Sequence, residues 1–315
     1  MKDKVLINAS NLHGGGGKQV ATSCIYELSK LDVNKISLNI LCSSEVNSEL
    51  KSLDTDFKKF SSYEVFDALG WKMLFSGLNA KFKQYDLVLS IFGPLYFFKK
   101  NTFHISGFAQ AQIIYKSRKL MWTEKSTLLG NLSESFKFFL KQLAFKRVDR
   151  LFVELEHVKQ GLVDNKIFPE DKVDVVYNTV SSIYSDKSLW HKVVFHKEEG
   201  VNYLGIVSRD YVHKNLTILS EVQQLLCNEY AIPTRFVVTF DDEEWAKKDN
   251  LFKKNILNIG PLRANECPEF YQMLDGVIFP SLLESFSITP IEALVMKKPL
   301  FASDLPFVRD CCGNF

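Results

Sequence analysis

The chain has 315 residues, 46% of them apolar and 24% charged, with a formal net charge of +2. That length exceeds one ordinary hydrophobic core and suits two, and the near-neutral balance argues against a nucleic-acid-binding protein. Six scattered cysteines show no framework spacing, so reduced thiols are expected, and no apolar run reaches the roughly 18 residues of a membrane-spanning helix.

In chain order, the first apolar run, 5–8, predicts a short strand and is too short for a signal-peptide core, so a cytoplasmic location is expected. A glycine loop, 11–17, follows, and from Lys18 the stripe Val20, Cys24, Leu28 and Leu31 predicts a helix. Two familiar phosphate loops are excluded. The dinucleotide pattern begun at Gly14 needs glycine where Gln19 stands, and a P-loop needs Ser or Thr after Gly17-Lys18. Four consecutive glycines before a helix still suit a close backbone–ligand approach, with a mobile turn as the alternative. Runs 85–90 and 102–106 read as parallel-sheet strands, and His104 in the second reads as a core or strand histidine unless a resemblance gives it a role. Between Lys116 and Arg150 stand nine Lys/Arg against three Asp/Glu, interleaved with Trp122, Phe136, Phe138, Phe139 and Phe145. Such a helix can lie on an anionic membrane surface, or its aromatics can pack into the domain core. Strands are expected at 149–154 and 172–178, and 181–200 has the polar, weakly periodic look of a linker. The boundaries expected are a first domain at 1–185, a linker at 186–201 and a second domain at 202–315.

The second half is more explicit. The run 202–208 predicts a strand ending in Arg209 and Lys214, followed by a helix from Asn215 to Leu226 with Leu216, Leu219, Val222 and Leu226 on one face. Two permanent cations at a helix mouth make an anion site, to which backbone N–H groups add. Residues 275–279 predict a buried strand broken by Pro280 and Ser281, with a helix opening at Thr289. Glu284 and Glu292 flank this junction, and a carboxylate can accept hydroxyl hydrogen bonds from a polyhydroxylated ligand at the carboxyl end of a parallel strand. Residues 289–292 also read as a capping box with proline at the first helical position, in which case Glu292 only caps its own helix.

The Arg209/Lys214 pair, Gly260 closing the strand at 256–259, Asp275, Pro280-Ser281, the Glu284/Glu292 pair with Phe286 and Ala293, Pro299 and Ala302-Ser303-Asp304 together resemble the family 4 retaining glycosyltransferases. The resemblance covers about 200–313. It implies the GT-B fold, two doubly wound α/β Rossmann-like domains facing across a cleft. It also implies that Arg209 and Lys214 hold the diphosphate of a nucleotide-sugar donor, that Glu292 accepts from the ribose, and that Glu284 binds the donor sugar beside the reacting carbon. The backbone of Ser285, Phe286, Ser287 and Ile288 would reach sugar or phosphate, with Ser287 standing where members often have glycine. The glycine loop, Gly15 and Gly16 included, would face donor phosphate and acceptor, and a cleft histidine makes His104 a candidate, although Ile105 replaces the usual aspartate.

No metal and no cofactor beyond the donor are expected, because the two cations supply the positive charge and no Asp-x-Asp or Cys/His metal spacing is present. The activity implied is retaining transfer to a saccharide or lipid-linked saccharide acceptor in bacterial polysaccharide assembly, with peripheral membrane contact through 116–150. The alternatives are a non-catalytic nucleotide-sugar-binding protein and a nucleotide-sugar epimerase on the same fold. Members of the family usually continue through a further strand–helix unit, so a shortened C-terminal domain is expected.

Overall fold

The computed structural model describes residues 2–32, 35–68, 77–93, 102–115 and 139–313. The chain forms two compact units, the first ending at Tyr177 and the second beginning at Asn178. Both are α/β units built on a parallel sheet.

The first sheet contains β1 (Asp3–Ala9), β2 (Ile36–Cys42), β3 (Ser62–Val65), β4 (Leu87–Ser90), β5 (Phe103–Gly107), β6 (Arg150–Val153) and β7 (Val173–Val175) in the order β3-β2-β1-β4-β5-β6-β7. Strands of such a sheet are covered on both faces, which is why β1 reads as an apolar run with Leu6, Ile7 and Ala9 buried. The winding reverses between β1 and β4. Their carboxyl ends are locked together there: Asn11 donates to the Phe92 carbonyl at 2.8 Å, and Gly93 adopts φ +111° with Asn11 Nδ2 only 2.5 Å from where a Cβ would stand. Only glycine fits that corner.

The helix α1 (Gly15–Lys30) starts three residues before the predicted Lys18, so the glycines form its first turn rather than a loop ahead of it. Gly14 is extended at φ −169° and Gly15 turns left-handed at φ +61°. Positions 116–138 of the basic, aromatic stretch lie outside the described residues. Of the remainder, Phe139, Leu140 and Leu143 are exposed, whereas Phe145 is fully buried against Phe108.

The second sheet is β10-β9-β8-β11-β12, with β8 (Asn202–Gly205), β9 (Thr234–Val238), β10 (Ile256–Asn258), β11 (Gly276–Phe279) and β12 (Leu300–Ala302), all pairs parallel. Its helices include α2 (Ile218–Asn228), α3 (Asp242–Ala246), α4 (Cys267–Met273) and α5 (Thr289–Val295). Tyr203, Val237, Phe270, Tyr271, Leu274, Val277 and Ala293 form its core. Each large side chain fully buried in this way contributes roughly 1.5–3 kcal/mol.

Two expectations shift in this unit. Helix α2 starts at Ile218 rather than Asn215, because Asn215 is left-handed at φ +55° and ends a short 3-10 turn at Val212–Lys214. The segment expected as a linker instead packs on the second core: Tyr184 is buried, and Val193, Phe195 and Val201 lie against it. Trp190 donates to the Ile183 carbonyl at 2.7 Å, and Lys197 reaches Asp275 at 2.9 Å and the Met273 carbonyl at 3.0 Å. Residues 178–201 are therefore a strap of the second unit.

Candidate functional site

The second sheet reverses its winding between β8 and β11, and the loops leaving those two strands depart side by side. Open α/β sheets bind ligands outside the carboxyl ends of strands at such a reversal. The loop after β8 carries Arg209 and Lys214, and the loop after β11 carries Glu284. They are tied together by the Leu282 N–H, which donates to the His213 carbonyl at 2.8 Å. The left-handed Asn215 ends the turn that presents Lys214.

Lys214 Nζ lies 2.6 Å from Glu284 Oε1, with the two side chains 15% and 10% exposed, and it also sits 5.6 Å from the centre of the Phe279 ring. The approach is an ion contact without hydrogen-bond alignment: Glu284 Oε1 is buried and receives no hydrogen bond among the described residues. Buried acceptors are ordinarily satisfied. A carboxylate oxygen held beside an ammonium with no aligned hydrogen bond keeps acceptor capacity for a further donor. Next to it, burial holds the His213 imidazole below its ordinary range, and Glu284 offsets this only in part. Its ring stacks on Tyr211 at 5.5 Å.

Arg209 is not the free cation expected from the sequence. Its Nε donates to Glu244 Oε1 at 2.8 Å, and one terminal nitrogen donates to Asp241. The hydrogen bond to Glu244, followed by the attraction of both carboxylates, raises the guanidinium above its usual range. Asp241 and Glu244 are also the two ends of a capping box on α3, so the carboxylates are themselves fixed. The Nη1 group has no partner among the described residues. The effect is a guanidinium clamped along one edge with its other edge open.

Beyond Glu284, the backbone N–H groups of Ser285, Phe286, Ser287 and Ile288 donate to no protein atom among the described residues. Glu292 follows on the first turn of α5. The capping-box reading of 289–292 fails, since Ile288 is the N-cap residue and no side chain caps the helix. The Glu292 carboxyl turns inward instead. Its Oε1 accepts from the Tyr184 hydroxyl at 2.6 Å and its Oε2 from Tyr271 at 2.8 Å. Burial pushes Glu292 above the ordinary carboxylate range, and the two hydroxyls offset part of that. Burial, then the nearby Glu292 charge, raises both tyrosines.

The structure thus gathers Arg209, Lys214, Glu284, 285–288 and Glu292 on the edge formed by β8, β11 and α5. Gly15 and Gly16 belong to the first unit, where a Cβ on Gly16 would meet nothing within 4 Å and the first turn of α1 holds no acidic residue. His104 is a different matter. It lies on the amino half of β5, buried, with its backbone N–H donating to Asp149 Oδ2 at 2.8 Å and its ring edge-on to Phe82 at 5.9 Å. The carboxyl edge of that strand is formed by Ser106 and Gly107, so His104 sits as a core histidine. Tyr184, Tyr271, Asp241 and Glu244 were not anticipated. Only the last two left a signal, the Asp-x-x-Glu capping spacing. Among the described residues no group of three or more His, Cys, Asp or Glu is placed to hold a metal ion.

Residues 190–315 match the family described as glycosyl transferases group 1. A curated relative, the O-antigen chain mannosyltransferase RfbU of Salmonella typhimurium, is 24% identical over 185 residues, 57% of this chain. That match spans about half of the relative, 48% of its length. Among solved structures, HepE of Anabaena in complex with UDP and glucose aligns with a TM-score of 0.61 at 13% identity, covering 96% of this chain and 81% of that one. WaaG, a glycosyltransferase involved in lipopolysaccharide biosynthesis, aligns with a TM-score of 0.63 at 12% identity, covering 97% and 82%. Both alignments extend over both units, so the chain has the two-Rossmann GT-B fold. Among the described residues no helix is long and apolar enough to cross a membrane.

Proposed function

We propose that this protein is a retaining, metal-independent glycosyltransferase. It would move a hexosyl group from a nucleoside diphosphate sugar to a saccharide or lipid-linked saccharide in the assembly of a bacterial surface polysaccharide of the O-antigen kind, at the cytoplasmic face of the cell. The observation that carries the reading is the Lys214–Glu284 pair, whose carboxylate oxygen is buried with no aligned hydrogen bond, at the winding reversal of the unit that matches the group 1 glycosyl transferases. The relative's mannosyl transfer to O-antigen and the neighbours' UDP, glucose and lipopolysaccharide chemistry support the substrate class.

In this reading the open edge of Arg209 and the Lys214 ammonium meet the diphosphate, and the N–H groups of 285–288 meet phosphate or sugar. Glu284 accepts from the sugar hydroxyls, and Glu292 accepts from the ribose. The bond from the anomeric carbon to the phosphate oxygen breaks, and its electrons stay on the leaving nucleoside diphosphate. The acceptor oxygen bonds to the anomeric carbon on the same face, and its proton passes to the leaving phosphate. The charge growing on that phosphate is what fixed cations stabilise, and losing one such donor typically costs about 100- to 1,000-fold in rate.

The test has two parts. Calorimetry with UDP, GDP and ADP is expected to show micromolar binding of one nucleotide. Acceptor-dependent release of that nucleotide from its sugar conjugate is then expected to vanish in Glu284→Ala while nucleotide binding stays nearly intact. Wild-type turnover by Glu284→Ala would remove Glu284 from the mechanism. Binding without turnover by the wild type would favour a nucleotide-sugar-binding protein.

A further inference from the structure

The two tyrosines on Glu292 have no role in the transfer just described. They arrive from distant parts of the chain, Tyr184 from the strap, 108 positions away, and Tyr271 from α4, 21 positions away. All three residues are more than nine-tenths buried. Each hydroxyl takes a different oxygen, at 2.6 and 2.8 Å, so the carboxylate can neither rotate nor swing. An ionised carboxylate has about four acceptor positions, and two remain, one per oxygen.

We infer that Tyr184 and Tyr271 are positioning residues for the nucleotide ribose: they fix the plane of the Glu292 carboxylate so that its two remaining acceptor positions meet the adjacent 2′ and 3′ hydroxyls together. The inference rests on the proposed role of Glu292 as the ribose acceptor. A cis-diol offers two O–H donors in a fixed relation, and a carboxylate already immobilised loses no further freedom in receiving them. Hydrogen bonds to a charged acceptor are the stronger kind, so the orientation of the acceptor governs how well the two hydroxyls are discriminated. Tyr184 has a second consequence. It makes the strap, and not only the sheet edge, part of the ribose site.

A purely structural clasp would lower all affinities alike, so the test compares ligands that differ by one hydroxyl. Binding of UDP and GDP is measured against dUDP and dGDP, with inorganic pyrophosphate as the ribose-free probe, on the wild type, Tyr184→Phe, Tyr271→Phe and Glu292→Gln. The wild type is expected to lose about ten-fold in affinity when the 2′ hydroxyl is removed. In either Phe variant that ratio is expected to fall to about two- to three-fold, with pyrophosphate binding unchanged. Two Phe variants keep the test open if one of them does not fold. If both bind and keep the wild-type ratio while Glu292→Gln loses it, the tyrosines do not position Glu292 and the inference is overturned. If Glu292→Gln also keeps the ratio, or neither nucleotide binds the wild type, the ribose role of Glu292 fails and takes the inference with it.

Discussion

Lys214 and Glu284 cannot be separated without stranding a charge inside the second unit. At 2.6 Å and with the side chains 15% and 10% exposed, their attraction at an effective dielectric of 20 is about 6 kcal/mol. Desolvating both ions cancels much of this, so the pair is worth little against two neutral residues of the same shape. Removing one partner is different, because the other is left buried and uncompensated, at a cost of about 3 kcal/mol. Lys214→Met and Glu284→Gln are each expected to lower the unfolding free energy of the second unit by that amount. The double variant strands neither charge and is expected to lose little, which gives a coupling of about 6 kcal/mol. Urea unfolding of the nucleotide-free protein, followed by the fluorescence of Trp190 and Trp245, reads this out, because both tryptophans lie in the second unit. Simple addition of the two losses, to about 6 kcal/mol, would refute the contact and with it the account of why that oxygen is unsatisfied.

Arg209→Ala is expected to weaken binding of the preferred nucleotide by about ten-fold, and Glu244→Gln to change it by less than about two-fold, since the Arg209 side chain is 42% exposed and its charge is screened. Equal losses in a titration would mean that Glu244 acts by orienting the guanidinium. Glu292 has its folded-state pKa raised above its ordinary 4.5 by burial. Its ionisation therefore costs stability as pH rises from that value through the folded one, and stability from this group is fully present only below it. Glu292→Gln is expected to melt no lower than wild type near neutral pH, with the difference closing below about pH 4.5. A deficit in Tm at neutral pH would contradict this. Gly93→Ala forces a side chain into φ +111° and against Asn11, which is expected to cost about 2 kcal/mol and several degrees of Tm. An unchanged melt would show that the corner can relax.

The junction at 275–296 was legible because a buried parallel strand is a continuous apolar run and proline marks where it ends. The predicted strand 275–279 is β11 within one residue, and the helix opening at Thr289 is α5. The strand that became β8 was legible by the same logic, with Arg209 and Lys214 beyond its end, whereas the strand order that makes β8 and β11 neighbours came only with the structure. What the sequence hid is long-range or conformational. Nothing local to Glu292 points to Tyr184, and an inward carboxyl looks the same in sequence as an outward one. Asn215 delayed α2 through a left-handed backbone that its neighbours do not announce. Arg209 sits close in space to Asp241 and Glu244 only because β8 and β9 pair in parallel. The strap looked like a linker because its apolar residues come in short clusters, Ile183-Tyr184, Leu189-Trp190 and Val193-Val194-Phe195, set among polar residues in a segment whose regular structure is two 3-10 turns, too little to read as a core element.

That strap decides where the chain can be cut. A fragment begun at β8, where the second sheet starts, would lack Tyr184 and leave Glu292 with one hydroxyl. It would also remove Lys197 from Asp275, whose carboxylate accepts the Tyr203 N–H at the start of β8. Chimeras that exchange the second unit between relatives would have to carry residues 178–201 along with it. The seam suited to recombination lies at Asn178, upstream of where the repeating strand–helix pattern resumes.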